Sequence, residues 1–268
     1  MPDQALVNSD LQSALAEARQ AYADSNPKSL DRHREACEAM PGGNTRTTLH
    51  NSPFPLTVVR GEGCRLWDVD GHEYIDVLGE YTAGIYGHSH PVIRAAIDKA
   101  LNHGWNYGGR NENEARLAKL IADRMPSIDL VRFTNSGTEG NVMALAGARV
   151  FAQRKGRSGA TKVMVFHGGY HGGVLYFVSG GSPVNVPYEY VVAPYNDVEG
   201  TRALLAKHGE ELFAVLLEPM QGSHGCLPGD VGFLKMVREE TKARGITMIF
   251  DEVMTSRLSP GGLQEKHG

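Results

Sequence analysis

The chain has 268 residues and a formal net charge of −4, so no basic surface is expected that would bind nucleic acid or an anionic membrane. No apolar stretch is long enough to cross a bilayer, and the polar N-terminus lacks the basic and apolar regions of a signal peptide. Three widely spaced cysteines form no CxxC motif, which favours free thiols in a reducing cytoplasm. We therefore expect a cytoplasmic protein whose partners are small molecules.

The first part of the chain is predicted to combine helices with a β-hairpin. Apolar residues at a helical period predict a helix around residues 11–22, and Ser29 is a candidate cap of a second helix that ends at Met40. Two β-type runs flank residues 61–63, which carry a hairpin signal. We expect residues 1–80 to form an N-terminal segment of helices and hairpin.

From Pro91 onward, short apolar runs alternate with helical patterns. Helices are predicted over about 91–103, 112–124, 138–153, 197–207 and 231–243, and strands over 130–134, 162–166, 190–192, 212–217 and 246–250. This alternation is typical of an α/β fold with a mostly parallel sheet and helices on both faces. We expect this pattern to define the larger part of the structure.

A polar turn over residues 135–140 separates a predicted strand from the helix that follows it. The N–H groups at the start of a helix, together with the helix dipole and nearby hydroxyls, form an anion site that suits a phosphate. Gly137 allows close backbone approach, and Thr138 can donate its hydroxyl. Plain N-cap chemistry explains the same residues equally well. The chain has no GxxxxGKS/T motif, which disfavours an ATP-type P-loop.

A glycine-rich stretch over residues 167–173 follows the next predicted strand. Its glycines would let Tyr170 lie flat against a cofactor ring. A metal site formed by His167 and His171 is a competing interpretation, but no carboxylate or cysteine accompanies them, so no metal is expected. A plain glycine-rich turn with a hydrogen-bonded histidine is the structural alternative.

Two further predicted strands end in carboxylates, Glu218 and Asp251. Ligands of open parallel sheets bind at the C-terminal ends of the strands. A carboxylate placed there is suited to hold a proton on the pyridine nitrogen of pyridoxal phosphate (PLP). A charged strand end that faces water is the alternative for each residue. Because four strand ends carry useful groups on one predicted edge, we favour a single site.

Four short motifs occur together in this chain: Asn-Ser-Gly-Thr-Glu at 135–139, Tyr-His-Gly at 170–172, Leu-Glu-Pro at 217–219 and Phe-Asp-Glu-Val at 250–253. In this order and spacing they strongly resemble the class III PLP-dependent aminotransferases. The resemblance extends from about Asp31 to the last residue. It implies PLP-dependent transferase fold type I, with residues 81–268 as an incomplete large PLP-binding domain. The chain looks closest to glutamate-1-semialdehyde aminomutases and their β-amino-acid aminotransferase relatives.

The resemblance implies a set of residues at the cofactor. These are Ser136, Gly137, Thr138, Tyr170, His171, Glu218, Asp251 and Val253. Thr138 and its two preceding neighbours would hold the phosphate, and Tyr170 and Val253 would pack on opposite faces of the ring. Asp251 would pair with the pyridine nitrogen, and Glu218 would lie close to the cofactor.

The resemblance also implies residues that contact the substrate. In the β-amino-acid aminotransferases an arginine that matches Arg46 binds the substrate carboxylate, and Tyr81 would lie near the same pocket. A guanidinium suits this role because its fork of N–H donors fits a carboxylate at two points. A solvated surface charge is the alternative for Arg46.

The family pattern further implies a Schiff-base lysine one strand beyond Asp-Glu-Val, followed by a small C-terminal domain. Lys266 is the only lysine after Asp251, and it lies in a predicted exposed tail. The chain is therefore expected to be truncated before its catalytic lysine, with no catalytic residue of its own, and to form a homodimer when full length. The alternatives are a glutamate-1-semialdehyde 2,1-aminomutase, a lysine-less non-catalytic PLP-binding relative, and an unrelated nucleotide-binding α/β protein.

Overall fold

A computed structural model describes residues 10–175 and 183–268, apart from the side chain of Thr47. The chain divides into two compact units, one extending to Trp105 and one running from Asn106 to Gly268. The first unit holds a three-stranded antiparallel sheet, and the second holds a four-stranded parallel sheet and a two-stranded ribbon. None of the described helices is long and apolar enough to cross a membrane.

The first unit contains the predicted helices and hairpin. Its elements are α1 (Leu11–Ser25), α2 (Pro27–Ala39), two short 3₁₀ turns (Pro41–Gly43 and Thr47–Leu49), β1 (Val58–Glu62), β2 (Arg65–Asp68), β3 (Glu73–Ile75) and α3 (Pro91–Leu101). Tyr22 of α1 packs on buried Phe54, with ring centroids 4.9 Å apart, and its hydroxyl donates to the Phe54 carbonyl at 2.9 Å. This contact ties α1 to the segment that enters the hairpin.

Helix α2 begins three residues earlier than a cap at Ser29 would imply. Asn26 occupies the N-cap position and Pro27 the first turn, where its fixed φ is favourable. The carboxylate of Asp70 accepts the N–H groups of Lys28 and Ser29, at 2.8 and 2.9 Å. The Ser29 hydroxyl instead accepts the N–H of Thr57 at 3.3 Å. Ser29 is thus a buried link to the hairpin, and its prediction as a cap was wrong.

One carboxylate closes the loop between β3 and α3. Asp76 Oδ1 accepts the N–H groups of Leu78 and Gly79 at 2.9 and 3.0 Å, and Asp76 Oδ2 lies 2.9 Å from Nε2 of His88. The hydrogen bonds to Gly79 and Leu78 and the contact with His88 hold the pKa of Asp76 below its usual value, against the effect of its partial burial. Both ends of the loop are therefore joined at a single side chain, which we call the Asp76 clasp.

Within this loop, residues 79–82 form a left-handed turn. Gly79, Glu80, Tyr81 and Thr82 have φ values of 54°, 48°, 54° and 77°. The Gly84 N–H donates to the Gly79 carbonyl at 2.9 Å and closes the turn. A non-glycine residue in this region costs about 1–2 kcal/mol, so the turn persists only because its surroundings hold it.

The second unit is built on a parallel sheet. Its elements are α4 (Glu112–Arg124), α5 (Gly137–Arg154), β4 (Lys162–Phe166), β5 (Glu189–Ala193), α6 (Val198–His208), β6 (Leu212–Leu217), β7 (Met220–Gln221), β8 (Leu227–Pro228), α7 (Val231–Ala243), β9 (Thr247–Phe250) and α8 (Gly262–His267). The sheet order is β5-β4-β6-β9, and every neighbouring pair is parallel.

Helices cover both faces of this sheet. Met164 and Phe166 of β4 face a core shared with α6 and α7. Val163 and Val165 face a second core shared with α5. Successive residues of a strand point to opposite faces, which explains how one strand supplies both cores. The predicted α/β architecture with helices on both faces is confirmed.

Residues 130–134, which were predicted to form a strand, do not form one. Leu130 is 92% exposed and Phe133 is also exposed. A strand needs a neighbour to satisfy its backbone groups, and no described strand pairs with this segment. Strand β9 is only partly buried because it lies at the edge of the sheet.

The segment after Asp251 is more ordered than the predicted exposed tail. Residues 262–267 form the short helix α8. Glu252 accepts the N–H groups of Leu263 at 2.7 Å and of Gln264 at 3.1 Å, which are unsatisfied within the helix itself. This helix carries Lys266, which is exposed as expected.

Candidate functional site

Three of the predicted site residues lie at the C-terminal edge of the parallel sheet. Tyr170 follows β4, Glu218 follows β6 and Asp251 follows β9, and these strands are adjacent and parallel. Glu218 Oε2 accepts the Tyr170 N–H at 2.9 Å, which links two strand ends directly. The sheet thus brings one aromatic residue and two carboxylates to one edge, as their positions after the apolar runs predicted.

Asp251 is buried, and one of its carboxylate oxygens contacts two side chains. Its Oδ2 accepts a hydrogen bond from Nδ2 of Asn141 at 2.7 Å and lies 3.0 Å from Nδ1 of His171. Its Oδ1 accepts the Val253 N–H at 3.1 Å. Burial acts to raise the pKa of Asp251, but these three contacts outweigh burial and lower the pKa below its usual value. The carboxylate is therefore held in its anionic form.

His171 is buried beside Asp251. Its Nδ1 is engaged by the carboxylate, whereas its Nε2 is buried without a hydrogen-bond partner among the described residues. The His167 side chain is exposed, and the described residues contain no group of three or more His, Cys, Asp or Glu side chains that could hold a metal. The imidazole is therefore part of the Asp251 network.

Asn141 is the member of this network that sequence reasoning missed. Besides its bond to Asp251, Asn141 Nδ2 donates to the His171 carbonyl at 3.2 Å. It lies on the buried stripe of α5 with Leu145, Ala148 and Ala152. A polar residue in register with an apolar helical stripe is the signal that could have identified it, since a buried polar group needs a partner.

The N-terminus of α5 packs closely against two other segments and forms a tight corner with them. Ser136 is its N-cap and accepts the Glu139 N–H at 3.1 Å, so the plain N-cap interpretation holds for that hydroxyl. A Cβ at Gly137 would lie 3.0 Å from Val253 Cγ2. A Cβ at Gly172, whose φ is +112°, would lie 2.2 Å from Thr138 Oγ1. Only glycine fits at Gly172, and its backbone packs directly against Thr138.

Glu218 lies at the same edge in a different electrostatic environment. Burial raises the pKa of Glu218, while the charge of His171 and the N–H groups of Tyr170 and Gly222 oppose this rise. The Tyr195 hydroxyl donates to the Glu218 carbonyl at 2.8 Å. Two buried carboxylates near one imidazole thus have pKa values that move in opposite directions, which is typical of a functional site.

Arg46 and Tyr81 belong to the first unit, where the structure brings them to one region. Arg46 lines an open groove of about 670 Å³ between Met40 and His50. Its Nη1 lies 3.8 Å from Oε1 of Glu80, and the Tyr81 hydroxyl donates to the Thr48 carbonyl at 3.4 Å. The left-handed turn therefore meets the segment that carries Arg46.

The family model for class III aminotransferases matches residues 47–261 of the chain. The chain belongs to the class III aminotransferases. It is 49% identical to the β-phenylalanine transaminase of Variovorax paradoxus over 98% of this chain and 59% of that protein. It is 39% identical to a glutamate-1-semialdehyde 2,1-aminomutase of an Exiguobacterium species, over 85% of this chain and 55% of that protein.

A solved structure supports the fold assignment of this class III chain. The crystal structure of a β-phenylalanine aminotransferase from Variovorax paradoxus superposes with a TM-score of 0.89 at 50% identity, over 97% of this chain and 59% of that one. PLP-dependent transferase fold type I is therefore confirmed. The chain spans a little over half the length of the curated relatives it matches.

PLP is the cofactor of class III aminotransferases, and the residues at the sheet edge fit it. A helix N-terminus with the Thr138 hydroxyl offers donors for a phosphate, and Gly172 leaves no side chain in that corner. Asp251 offers a buried anion, the counterpart that a protonated pyridine nitrogen requires. Donors for an anion and an acceptor for a cation thus lie on the same edge.

Proposed function

We propose that the protein is a PLP-dependent aminotransferase that moves an amino group from an amino acid to a keto acid or an aldehyde. The observation that carries this proposal is the buried Asp251 anion, held by His171 and Asn141 at the end of β9. We further propose β-amino acids as the donor class, which the similarity to a β-phenylalanine transaminase supports. An aminomutase is the competing function, and the aminomutase relatives are less similar to this chain.

Each proposed cofactor contact follows from the position of a side chain or backbone group. Gly137 and Thr138 would bind the phosphate with their N–H groups and the Thr138 hydroxyl, while Ser136 holds the start of the helix. Tyr170 and Val253 would pack on the two faces of the ring. Once bound, PLP supplies an electron sink that stabilises negative charge on the substrate carbon.

The acidic residues have separate proposed tasks. Asp251 would keep a proton on the pyridine nitrogen, because an anion beside that nitrogen favours its protonated form. His171 would hold the Asp251 carboxylate in place. Glu218 would fix the backbone of Tyr170 through the 2.9 Å hydrogen bond to its N–H and so set the position of the aromatic ring.

Arg46 is the proposed receptor for the substrate carboxylate, with Tyr81 beside it. An open groove next to an exposed guanidinium supports this role. A carboxylate can take two parallel hydrogen bonds from the guanidinium fork, which fixes both its position and its orientation.

We also propose that the full-length protein is a cytoplasmic homodimer. Free exposed thiols at Cys37, Cys64 and Cys226 support a reducing compartment. Helix α3 exposes several large apolar side chains, an arrangement typical of a protein interface. These are Val92, Ile93, Ile97 and Leu101. Light scattering on the full-length protein at several concentrations would test the dimer.

The decisive experiment is a titration of the 268-residue chain with PLP by equilibrium dialysis. The absorbance of PLP measures how much cofactor is bound. Asp251→Asn should weaken PLP binding by about tenfold or more, because a neutral amide does not stabilise the protonated pyridine. The matched control is Asp129→Asn at an exposed position, which should leave the affinity unchanged. Equal affinities of all three proteins would refute the proposed cofactor site.

A second measurement separates aminotransferase from aminomutase. Because this chain is expected to lack the Schiff-base lysine, the full-length protein is incubated with PLP, an ¹⁵N-labelled β-amino acid and an unlabelled keto acid. Transfer of the label to the keto acid skeleton supports the aminotransferase. Retention of the label within an isomerised donor supports the aminomutase instead.

A further inference from the structure

The proposed carboxylate receptor already faces a carboxylate of its own chain. Arg46 Nη1 lies 3.8 Å from Glu80 Oε1, and about two thirds of each side chain is exposed, 64% for Arg46 and 65% for Glu80. The separation is longer than a charge-assisted hydrogen bond. The pair is therefore a loose electrostatic contact that leaves the guanidinium donors accessible.

Glu80 is held opposite Arg46 by the backbone. It lies in the left-handed turn, where its own φ is 48° and that of Tyr81 is 54°. The Asp76 clasp fixes the entrance of the loop, and the Tyr81 hydroxyl joins the turn to the Thr48 carbonyl, next to the Arg46 segment. A strained conformation that is maintained by several contacts points to a function for the side chain that it presents.

We propose that Glu80 is a specificity-determining residue that occupies Arg46 in the free protein and is displaced by the carboxylate of the substrate. The inference rests on the proposed function of Arg46 and deepens it. Glu80 is an internal competitor, so that only a ligand with its own carboxylate can take its place on the guanidinium.

The exchange is favourable for an acid and unfavourable for a neutral analogue. A free carboxylate can approach Arg46 with two short parallel hydrogen bonds, whereas Glu80 makes one contact at 3.8 Å. An amide or ester brings no charge and cannot compensate for separating Glu80 from Arg46. Glu80 thus imposes the same cost on every ligand that displaces it from Arg46, and a ligand with its own carboxylate recovers that cost through its contact with the guanidinium.

The test measures the chemical accessibility of Arg46 and its protection by ligands. The chain is treated with phenylglyoxal, which modifies exposed arginines, and the modification rates of Arg46 and Arg60 are followed by peptide mass spectrometry. The variants are Glu80→Gln and, as a matched control, Glu62→Gln. Glu62 is an exposed glutamate that pairs with Arg60 in the same unit.

We expect Glu80→Gln to accelerate modification of Arg46 by about two- to fivefold, the range that an exposed ion pair supplies, and to leave Arg60 unchanged. Glu62→Gln should accelerate Arg60 alone. In the unmutated chain, 3-phenylpropanoate should protect Arg46 and 3-phenylpropanamide should not. In Glu80→Gln, the acid should protect at a concentration about two- to fivefold lower.

The outcomes separate this inference from the proposed function. An unchanged Arg46 rate and an unchanged protecting concentration in Glu80→Gln would overturn the role of Glu80 while leaving Arg46 as a carboxylate receptor. Failure of the acid to protect Arg46 in both proteins would overturn the receptor and with it the competition. Equal protection by the amide in the unmutated chain would overturn the selection against neutral ligands.

Discussion

The carboxylate of Asp251 and the imidazole of His171 lie 3.0 Å apart in the buried edge of the second unit, although 80 positions separate them in the chain. The contact exists because β4 and β9 are both parallel to β6, so that their C-terminal ends emerge on the same side. Asn141 completes the arrangement from α5, which packs on one face of the sheet. This buried network thus joins two strand ends and one helix.

The first prediction concerns Asn141. In Asn141→Leu the side-chain volume is similar, but Asp251 loses a donor, so we expect a loss of about 1–3 kcal/mol in the free energy of unfolding. PLP affinity should fall by about tenfold because the carboxylate is no longer fixed. Urea unfolding and PLP dialysis measure the two effects. Asn113→Leu, on the exposed start of α4, should change neither, and wild-type affinity in Asn141→Leu would refute the role of Asn141.

The second prediction uses a pair of adjacent glycines. Gly172→Ala places a Cβ 2.2 Å from Thr138 Oγ1 at a φ of +112°, so Thr138 must move. We expect a destabilisation of about 1–3 kcal/mol and weaker binding of PLP through its phosphate. Gly173→Ala has nothing within 4 Å of its Cβ and is the matched control. Thermal unfolding and PLP dialysis of both variants check the prediction, which fails if the two behave alike.

The third prediction is a pH dependence of the first unit. Burial acts to raise the pKa of Asp68, but hydrogen bonds from Tyr74 and His72 outweigh it and lower the pKa to about 2. Because the folded pKa lies below the unfolded one, the stabilisation is complete above about pH 4 and is lost as the pH falls toward 2. The unfolding free energies of the chain and Asp68→Asn should therefore differ at pH 6, and the difference should shrink on acidification until the two converge near pH 2.

An exposed aspartate is the control for this pH dependence of the unfolding free energy. Asp98→Asn removes a surface partner of Arg94 in α3, and its effect should be small at every pH because exposed pairs contribute little. A difference between the chain and Asp68→Asn that grows on acidification would contradict the predicted sign.

The fourth prediction concerns Lys266. It is exposed on α8, so it should react with PLP no faster than other exposed lysines such as Lys99. After PLP treatment and borohydride reduction, peptide masses should show several weak adducts with no dominant site. Lys266→Ala should retain the PLP affinity of the unmutated chain. A single strong adduct on Lys266 would make it a catalytic lysine instead.

The sequence predicted the strand ends well because β4 and β6 are apolar runs that stop at a polar group. Tyr170, Glu218 and Asp251 could therefore be placed on one edge before any coordinates were known. Residues 130–134 also match a strand pattern but form no strand, since pairing depends on a neighbour that the local sequence does not reveal. The resemblance to a family identified the remaining candidates.

Other contacts depend on partners distant in the chain. Asn141 lies one turn inside a helix, and nothing local indicates that its partner is Asp251. Serine is a common N-cap residue, but the helix that contains Ser29 already begins at Pro27. Asp70 from the hairpin accepts the free N–H groups of its first turn. The Glu80–Arg46 contact depends on three consecutive non-glycine residues with positive φ, an arrangement that residue preferences disfavour.

The Asp76 clasp allows the loop between β3 and α3 to be replaced while the flanking elements keep their spacing. Since Asp76 and His88 join the two ends, the hairpin and α3 do not depend on the sequence between them for their spacing. Residues 80–86 can therefore diverge, lengthen or be transplanted between relatives while the scaffold stays folded. With Arg46 as the proposed carboxylate receptor, replacing the segment that faces it would change substrate preference and leave the proposed cofactor residues of the second unit unaltered.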